Sequence, residues 1–251
     1  MITYEYPLIE RVRTLLRLEA LFARVGLFIS RTDPQDHHIA LVSLFEIVDV
    51  VGRAELKSEL LQELERQKQV LISFKSNPDA DQRVLSGVVD GLEKAAAAIH
   101  GMSGKVGQHI RENDWLMGIK QRAAIPGGAC EFDLPSYHRW LHADDAVRMK
   151  ALQQWVGPML PIRDGALLVL AMLRESGKAQ RLQAPQGVFQ QSLGGRVAQI
   201  VRIKVPITPE CVPEVSANRY ALNIRFTAQG DDGRPHTVDH DVAFDLTFCS
   251  L

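Results

Sequence analysis

Two different hydrophobic periodicities divide this 251-residue chain, and no other feature constrains its fold as strongly. From residue 7 to about residue 176, apolar residues recur at spacings of three and four, the period of a helix with one buried face. Beyond residue 177, glycine and proline become frequent, and apolar residues alternate with polar ones as in a strand. We therefore predict an α+β fold, with a mainly helical domain over 1–177 and an antiparallel β-domain over 178–251.

Proline, glycine and capping residues at the ends of the periodic segments predict where the helices begin and end. The first helix starts near Pro7, and its polar face carries Arg13 and Arg17, which we interpret as a solvated surface that could also extend a basic patch. The other predicted helices are long ones at about 35–51, 53–74 and 81–100, shorter ones near 106–111, 114–123, 136–142 and 144–156, and an apolar core helix at about 161–176.

Four segments of the second part predict antiparallel strands: 184–192, 197–205, 220–227 and 242–248. The last is the clearest, since Phe244, Leu246 and Phe248 alternate with smaller or more polar residues. We expect hairpin connections at Gly194-Gly195 and over 230–235. Residues 2–6 can add a further strand to the sheet.

Charge and composition narrow the classes of partner. The chain has 29 Lys and Arg against 30 Asp and Glu, so no net field attracts nucleic acid or an anionic membrane. Its three cysteines are widely spaced, which favours free thiols in a reducing compartment. The longest apolar run, 166–172, is far shorter than the roughly 20 residues that span a bilayer, and no signal-peptide pattern opens the chain. We expect a cytoplasmic protein without membrane insertion.

The residues that could act in catalysis or bind a metal do not form a recognisable catalytic or metal-binding motif. His37 and His38 are interpreted as exposed loop residues, and His138 and His142, four apart on a helix, lack the acidic residue of an HExxH zinc motif. There is no nucleotide-binding glycine loop. We therefore predict a binding protein without enzymatic activity, metal or cofactor. The alternative is an enzyme that uses Cys130 with His138 or His142 as a thiolate–imidazole pair.

One block, IPGGACEFDLPSYHRWLH at 125–142, resembles the signature of the cell-division protein ZapD family. Further similar blocks occur in the same order along nearly the whole chain: YEYPLIERVRTLLRLEALF at 4–22, ELKSELLQELERQ at 55–67, IRENDWLMGIKQR at 110–122, GVFQQSLGG at 187–195 and NRYALNIRF at 218–226. We interpret the 125–142 block as structural, with Phe132, Leu134, Trp140 and Leu141 buried.

The resemblance implies a helical bundle plus a β-domain, assembled as a homodimer. It also implies binding to the conserved C-terminal tail of the division protein FtsZ, and the bundling of FtsZ filaments in the division ring at mid-cell. A two-fold dimer suits this role, because two identical tail sites hold two filaments at once.

Family members hold the tail largely with arginines, and the resemblance carries these roles to particular positions of this chain. Arg53 matches the first within VDVVGRAELKSEL, and Arg219 matches the second. The third position is Asn223 in this chain, so we expect Arg225 to replace it. Alternation with period two would place Arg219, Asn223 and Arg225 on one strand face. A guanidinium suits the task because its planar fork pairs with carboxylates.

Overall fold

A computed structural model describes residues 1–52, 55–78, 81–195, 197–208, 210–230 and 233–251. The chain forms two compact units, a β unit of Met1–Arg13 with Leu170–Leu251 and a helical unit of Thr14–Val169. Each is described by itself. The expected order, helices first and an antiparallel β-domain second, is confirmed. The domain boundary at residue 177 stays a prediction.

The helices lie close to their predicted positions, because the capping residues that the sequence signals form the caps. The Asp81 carboxylate accepts from the backbone N–H groups of Arg83 and Val84, and Asn113 caps the helix at 114 in the same way. The helices of the described residues are α1 (Glu10–Ile29), α2 (Pro34–Gly52), α3 (Leu56–Ser73), α4 (Gln82–His100), α5 (Gln108–Arg111), α6 (Asp114–Ala123), α7 (Pro135–Leu141), α8 (Asp145–Val156) and α9 (Leu160–Glu175).

The core of the helical unit depends on close approach between α9 and its neighbours. A Cβ atom at Gly165 would lie 2.7 Å from Ile99 Cδ1 and 3.0 Å from Leu60 Cδ2, so a larger residue there would require these side chains to shift. Ile162 and Ala166 on the same helix are buried. The segment Asp145–Glu175 contains an 18-residue window of mean hydropathy 1.5 that could cross a membrane by length and composition, a property shared with buried core helices.

The interpretation of His37 and His38 as exposed loop residues was wrong. The Asp33 side chain accepts from the Gln35 backbone N–H at 2.7 Å, so α2 begins at Pro34 and includes both histidines. His37 is completely buried, and its Nδ1 accepts from the Nε of Arg148 at 2.9 Å. Arg148, itself buried, also donates to the backbone carbonyls of Thr32, Leu141 and Ala143.

The 125–142 block contributes to an aromatic cluster that includes Trp115, Tyr137, Trp140 and Trp155. Tyr137 is fully buried and hydrogen-bonded to His38 Nδ1 at 2.7 Å, and burial raises the pKa of Tyr137. The expectation that Phe132 is buried was wrong, since it is 81% exposed. The Cys130 carbonyl accepts from the N–H groups of Asp133 and Leu134, which closes a turn with Phe132 at its outer side.

Within the described residues, the strands of the β unit form two antiparallel sheets. The first sheet has the order β1-β4-β8-β2 and the second the order β3-β6-β5, with β7 also paired to β6. The strands are β1 (Ile2–Pro7), β2 (Gln180–Ala184), β3 (Val188–Ser192), β4 (Ile200–Val205), β5 (Val212–Ala217), β6 (Ala221–Gln229), β7 (Pro235–Thr237) and β8 (Val242–Cys249).

The sheets differ from the four predicted strands in several places. The segment 184–192 is not one strand, because a turn at Pro185–Gly187, with φ values of 47° at Gln186 and 72° at Gly187, separates β2 from β3. Gly194-Gly195 is not a hairpin connection, since β3 and β4, which it joins, belong to different sheets. The stretch 230–235 does join paired strands, β6 and β7, although residues 231 and 232 lie outside the described part.

Both sheets contribute their inner faces to one hydrophobic cluster, so they pack face to face. Phe244 of the first sheet lies 5.1 Å from Phe226 of the second, between ring centroids. On the opposite face of the first sheet, the Glu5 carboxylate accepts from Arg202 Nε at 2.9 Å and from Arg174 Nη2 at 2.7 Å. A buried apolar layer and a paired ionic cluster therefore stabilise the two sides of this sheet.

Candidate partner-binding site

A groove of about 1140 Å³ opens in the β unit at one end of the two sheets. Its walls come from the end of β1, the connection between β3 and β4, and the end of β5 with the turn that follows it. Its apolar lining includes Tyr6, Leu8, Val197, Val215 and Tyr220. Its charged lining residues are Arg13 and Arg219, and no acidic residue belongs to the described lining. The groove therefore combines apolar walls with positive charge.

Arg219 lies in the turn between β5 and β6, and not on a strand as the period-two pattern suggested. The Asn218 side chain shapes this turn by accepting from the N–H groups of Tyr220 and Ala221, at 2.8 and 2.9 Å. The Arg219 guanidinium lies over the Tyr220 ring, 4.4 Å from its centroid, and donates to the Tyr220 hydroxyl. The cation is thus held over the groove before any ligand arrives.

Arg13 adds a second cation to the groove, although the sequence pattern favoured a solvated helix face. It lies in the first turns of α1, pairs with Glu10 Oε2 at 3.1 Å, and remains about half exposed. The proximity of α1 to the end of β1 was the available signal, since only two residues lie between Pro7 and the start of the helix at Glu10. Arg17 is exposed, and it belongs to the helical unit.

Asn223 and Arg225 lie on β6 and are both exposed, which agrees with the alternation expected for them. In the register of the second sheet, Arg225 lies between Glu214 on β5 and Val188 on β3. Neither Arg225 nor Asn223 belongs to the described lining of the groove. The structure therefore separates Arg219 from Arg225 on the same β-hairpin, and their joint role in binding stays a prediction.

Arg53 lies outside the described residues. Its neighbours Gly52 and Glu55 line a second groove, of about 870 Å³, in the helical unit. Two of the cations there have structural partners, because Lys57 Nζ donates to the Met102 carbonyl at 2.6 Å and Arg111 donates to backbone carbonyls that include that of Val48. The role of Arg53 stays a prediction.

The residues of the alternative catalytic pair share a third, shallower cavity of about 610 Å³ in the helical unit. Cys130 is exposed, and His138 and His142 line the same cavity with ring centroids 4.3 Å apart. His142 Nδ1 must carry its proton, since it lies 2.9 Å from the His138 carbonyl oxygen. Among the described residues, no group of three His, Cys, Asp or Glu side chains is placed to hold a metal ion.

Known proteins of one family are similar to this chain along its full length. The family model "ZapD: Cell division protein" matches residues 16–225. The protein named Cell division protein ZapD in Dechloromonas aromatica (strain RCB) is 55% identical over 252 residues, and that of Azoarcus sp. (strain BH72) is 52% identical over 251 residues; each alignment covers all of both chains. That of Aromatoleum aromaticum is 50% identical over all of this chain and 98% of its own. This chain therefore belongs to the ZapD family of cell division proteins.

Proposed function

We propose that this protein is a non-enzymatic adaptor that binds the C-terminal tail of FtsZ and, as a homodimer, crosslinks FtsZ filaments into bundles. It would act in the cytoplasm at the division site and support assembly of the division ring. Membership of a cell-division family supports the process. The observation that carries the binding role is Arg219, which is held over an apolar groove by Tyr220 and has no carboxylate partner among the described residues.

Electrostatics make an arginine-lined groove a reasonable receptor for tail carboxylates. Charge-assisted hydrogen bonds between guanidinium and carboxylate groups are about twice as strong as neutral ones. Arg219 is exposed, so we expect added salt to weaken the interaction. Arg53 and Arg225 complete the proposed contact set, as the family resemblance implies.

Crosslinking needs two tail sites in one particle. A monomer with one site decorates a filament without joining it to another, whereas a two-fold dimer presents two equivalent sites. Each contact along a filament then reinforces the next through multivalency. Modest affinity for a single tail is therefore compatible with stable bundles.

Low-speed co-sedimentation of GTP-assembled FtsZ tests the proposal. The protein is mixed with filaments of full-length FtsZ or of FtsZ that lacks its C-terminal tail. We expect only full-length filaments to move into the low-speed pellet with the protein. Pelleting of both polymers would contradict tail binding, and pelleting of neither would contradict bundling.

The alternative, an enzyme that uses Cys130, has one observation in its favour: Cys130 shares a cavity with His138 and His142. It predicts a thiolate that reacts with iodoacetamide in the native protein much faster than an ordinary exposed cysteine. Reaction at the rate of a free thiol would remove this alternative. Rapid reaction that is lost in both His138→Ala and His142→Ala would revive it.

A further inference from the structure

Two histidines of the helical unit have the spacing of a metal-chelating pair. The His142 N–H donates to the backbone carbonyls of His138 and Arg139, both at 3.2 Å, so helical geometry continues from α7 through His142. Residues four apart on a helix face the same side, and the two imidazole rings lie with their centroids 4.3 Å apart. The prediction of no metal rested on the missing acidic residue of an HExxH motif, which a chelating pair does not need.

The hydrogen bonds of these rings leave their Nε2 atoms for a ligand. His142 Nδ1 lies 2.9 Å from the His138 carbonyl oxygen and carries the proton, so Nε2 of the neutral ring has a lone pair. Histidines that bind metals usually donate their other N–H group in this way, which fixes the orientation of the ring. His138 Nε2 lies 3.7 Å from Glu131 Oε2, and neither Nε2 atom is hydrogen-bonded within the described part of the chain. Two nitrogens on one zinc ion are about 3.4 Å apart, a separation that rings this close can adopt.

The cavity around the pair favours a cation. Its volume of about 610 Å³ leaves room for an ion with water in its other coordination positions. The described lining includes the acidic residues Asp33 and Glu131 and no lysine or arginine. Negative charge beside the histidines therefore attracts a divalent ion.

Packing against the core holds the backbone that carries the two histidines. Tyr137 is fully buried and hydrogen-bonded to His38 Nδ1 at 2.7 Å. Trp140 stacks on Tyr137, with ring centroids 5.7 Å apart. These residues alternate along α7 with the histidines that line the cavity, so the pair is presented on an anchored helix. A site on such an element is better preorganised than one on a loop.

We propose that His138 and His142 together bind one divalent transition-metal ion, such as Zn²⁺, through their Nε2 atoms, with Glu131 as a nearby negative charge and water in the other positions. Imidazole nitrogen suits zinc, copper and nickel, whereas magnesium and calcium prefer oxygen ligands. Two protein ligands make an exchangeable site, in contrast to the closed four-ligand sites of structural zinc. The site is separate from the proposed tail binding, and its test does not involve FtsZ.

Cys130 is the competing ligand, since its exposed thiol lines the same cavity. Zinc binds thiolates readily, so a site that includes the thiol would be tighter than a pair of histidines. However, no group of three His, Cys, Asp or Glu side chains comes together to hold a metal ion in the described parts of the chain. The proposal therefore assigns the ion to the two histidines and not to the thiol.

Titration calorimetry with Zn²⁺, on the metal-free full-length protein without an affinity tag, tests the proposal. We expect one ion per chain, and an affinity that falls at least about tenfold in His138→Ala and in His142→Ala, because either change leaves a single imidazole. His100→Ala is the matched control, since it removes one exposed histidine at the end of α4 and should bind Zn²⁺ as the parent does. Circular dichroism shows whether each variant is folded. Parent-like affinity in folded His138→Ala and His142→Ala would overturn the proposal.

Two further variants distinguish a shared ion from other arrangements. If both rings hold one ion, the double variant His138→Ala/His142→Ala should bind about as weakly as either single variant, because the second ring contributes little alone. Losses that add in the double variant, or two ions per chain, would contradict a shared ion. Cys130→Ser should keep the affinity of the parent. A loss of about tenfold or more in Cys130→Ser would place the ion on the thiol, and the proposal would be wrong.

Discussion

The Tyr6 hydroxyl donates a hydrogen bond to the carbonyl oxygen of Pro213, which ties β1 of the first sheet to the edge strand β5 of the second. Burial and the nearby negative charge of Glu214 raise the pKa of Tyr6, so the hydroxyl keeps its proton at neutral pH. Tyr6 also lines the groove, together with Val215 and Ala217 of β5, so this contact between the sheets lies beside the groove.

Tyr6→Phe should lower the free energy of unfolding by about 1 kcal/mol, the usual value for one lost hydrogen bond. Urea denaturation of the two proteins measures the difference. Tyr4→Phe is the matched control, because Tyr4 lies on the same strand face and its hydroxyl has no hydrogen-bond partner in the described part of the chain. Equal losses in both variants would show that the contact with Pro213 does not stabilise the fold.

Glu5→Gln should lower the free energy of unfolding most at neutral pH and least in acid. Burial by itself raises the pKa of Glu5, but hydrogen bonds and charges from Arg174 and Arg202 outweigh it and hold the pKa below its usual value of 4.5. A carboxyl with a lowered folded-state pKa stabilises the protein above its unfolded pKa, and this contribution disappears as pH falls through the folded-state pKa.

We therefore expect Glu5→Gln to lose about 2 kcal/mol at pH 7, and this gap to the parent protein to shrink as the pH falls below the ordinary carboxyl pKa of 4.5 towards the lowered folded-state pKa. Urea denaturation across this range measures the gap. Exposed Glu175, at the end of α9, supplies the control Glu175→Gln, for which little effect is expected at any pH. A gap that widens on acidification would contradict the ionic role of Glu5.

Arg148→Met should strongly destabilise the helical unit. The substitution leaves His37 Nδ1 and the carbonyls of Thr32, Leu141 and Ala143 without their common donor. The buried His37 acceptor costs about 1–3 kcal/mol when it is left unpaired, and three carbonyls of less buried residues lose a donor as well, so we expect a total loss of about 3 kcal/mol. Arg139→Met, at an exposed position on the neighbouring α7, should change stability by less than about 0.5 kcal/mol. Similar midpoints for the two variants in thermal denaturation would refute this account.

Alanine substitutions at two glycines, Gly187 and Gly194, distinguish the cost of a strained backbone conformation from the cost of steric crowding. Gly187 and Gly194 both have positive φ, 72° and 53°, where a side chain costs about 1–2 kcal/mol. A Cβ atom at Gly187 would lie 2.6 Å from Val238 Cγ2 and 2.9 Å from the Val238 carbonyl oxygen, whereas one at Gly194 meets nothing within 4 Å. Gly187→Ala should therefore be more destabilising than Gly194→Ala by about 1–3 kcal/mol in chemical denaturation.

Arg219→Ala should weaken binding of the FtsZ tail peptide by about tenfold or more, which corresponds to the loss of charge-assisted hydrogen bonds. Arg219→Lys should restore part of the affinity, because a lysine keeps the charge but not the planar fork. Arg181→Ala removes a comparable exposed arginine, paired with Asp245 on the first sheet, and should leave binding unchanged. Titration at two salt concentrations checks all three variants; equal affinity of Arg219→Ala and the parent would exclude Arg219 from the site.

Local signals predicted most of the helices but fewer of the strands. Asp81 and Asn113 act through their immediate neighbours, so the helices that they cap could be placed from the sequence. The strand β5 was missed because Pro213 and small polar residues hide its alternation. Gly194-Gly195 resembles a hairpin turn, yet its strands join different sheets, and pairing between strands distant in sequence is not a local property.

The candidate site shows the same limit. Family resemblance singled out Arg219, but the period-two argument placed it on a strand, whereas the Asn218 side chain folds that position into a turn. Arg13 was discounted because helical periodicity identifies an exposed face and not what lies beside it. Its position in the groove depends on how the first residues of α1 follow β1 in the folded β unit.

The sequence by itself determined the α+β class, the order of the elements and the family, because periodicity, caps and ordered similarity blocks are all written along the chain. Only the tertiary structure decided that the strands form two facing sheets, that β5 stands at one end of the described strand order and that Arg13 and Arg219 share one groove while Arg225 lies outside its described lining. The physical reason is that edges and grooves arise from contacts between residues far apart in sequence. Hydrophobic patterning specifies which face of a strand is buried, but not which other strand lies beside it.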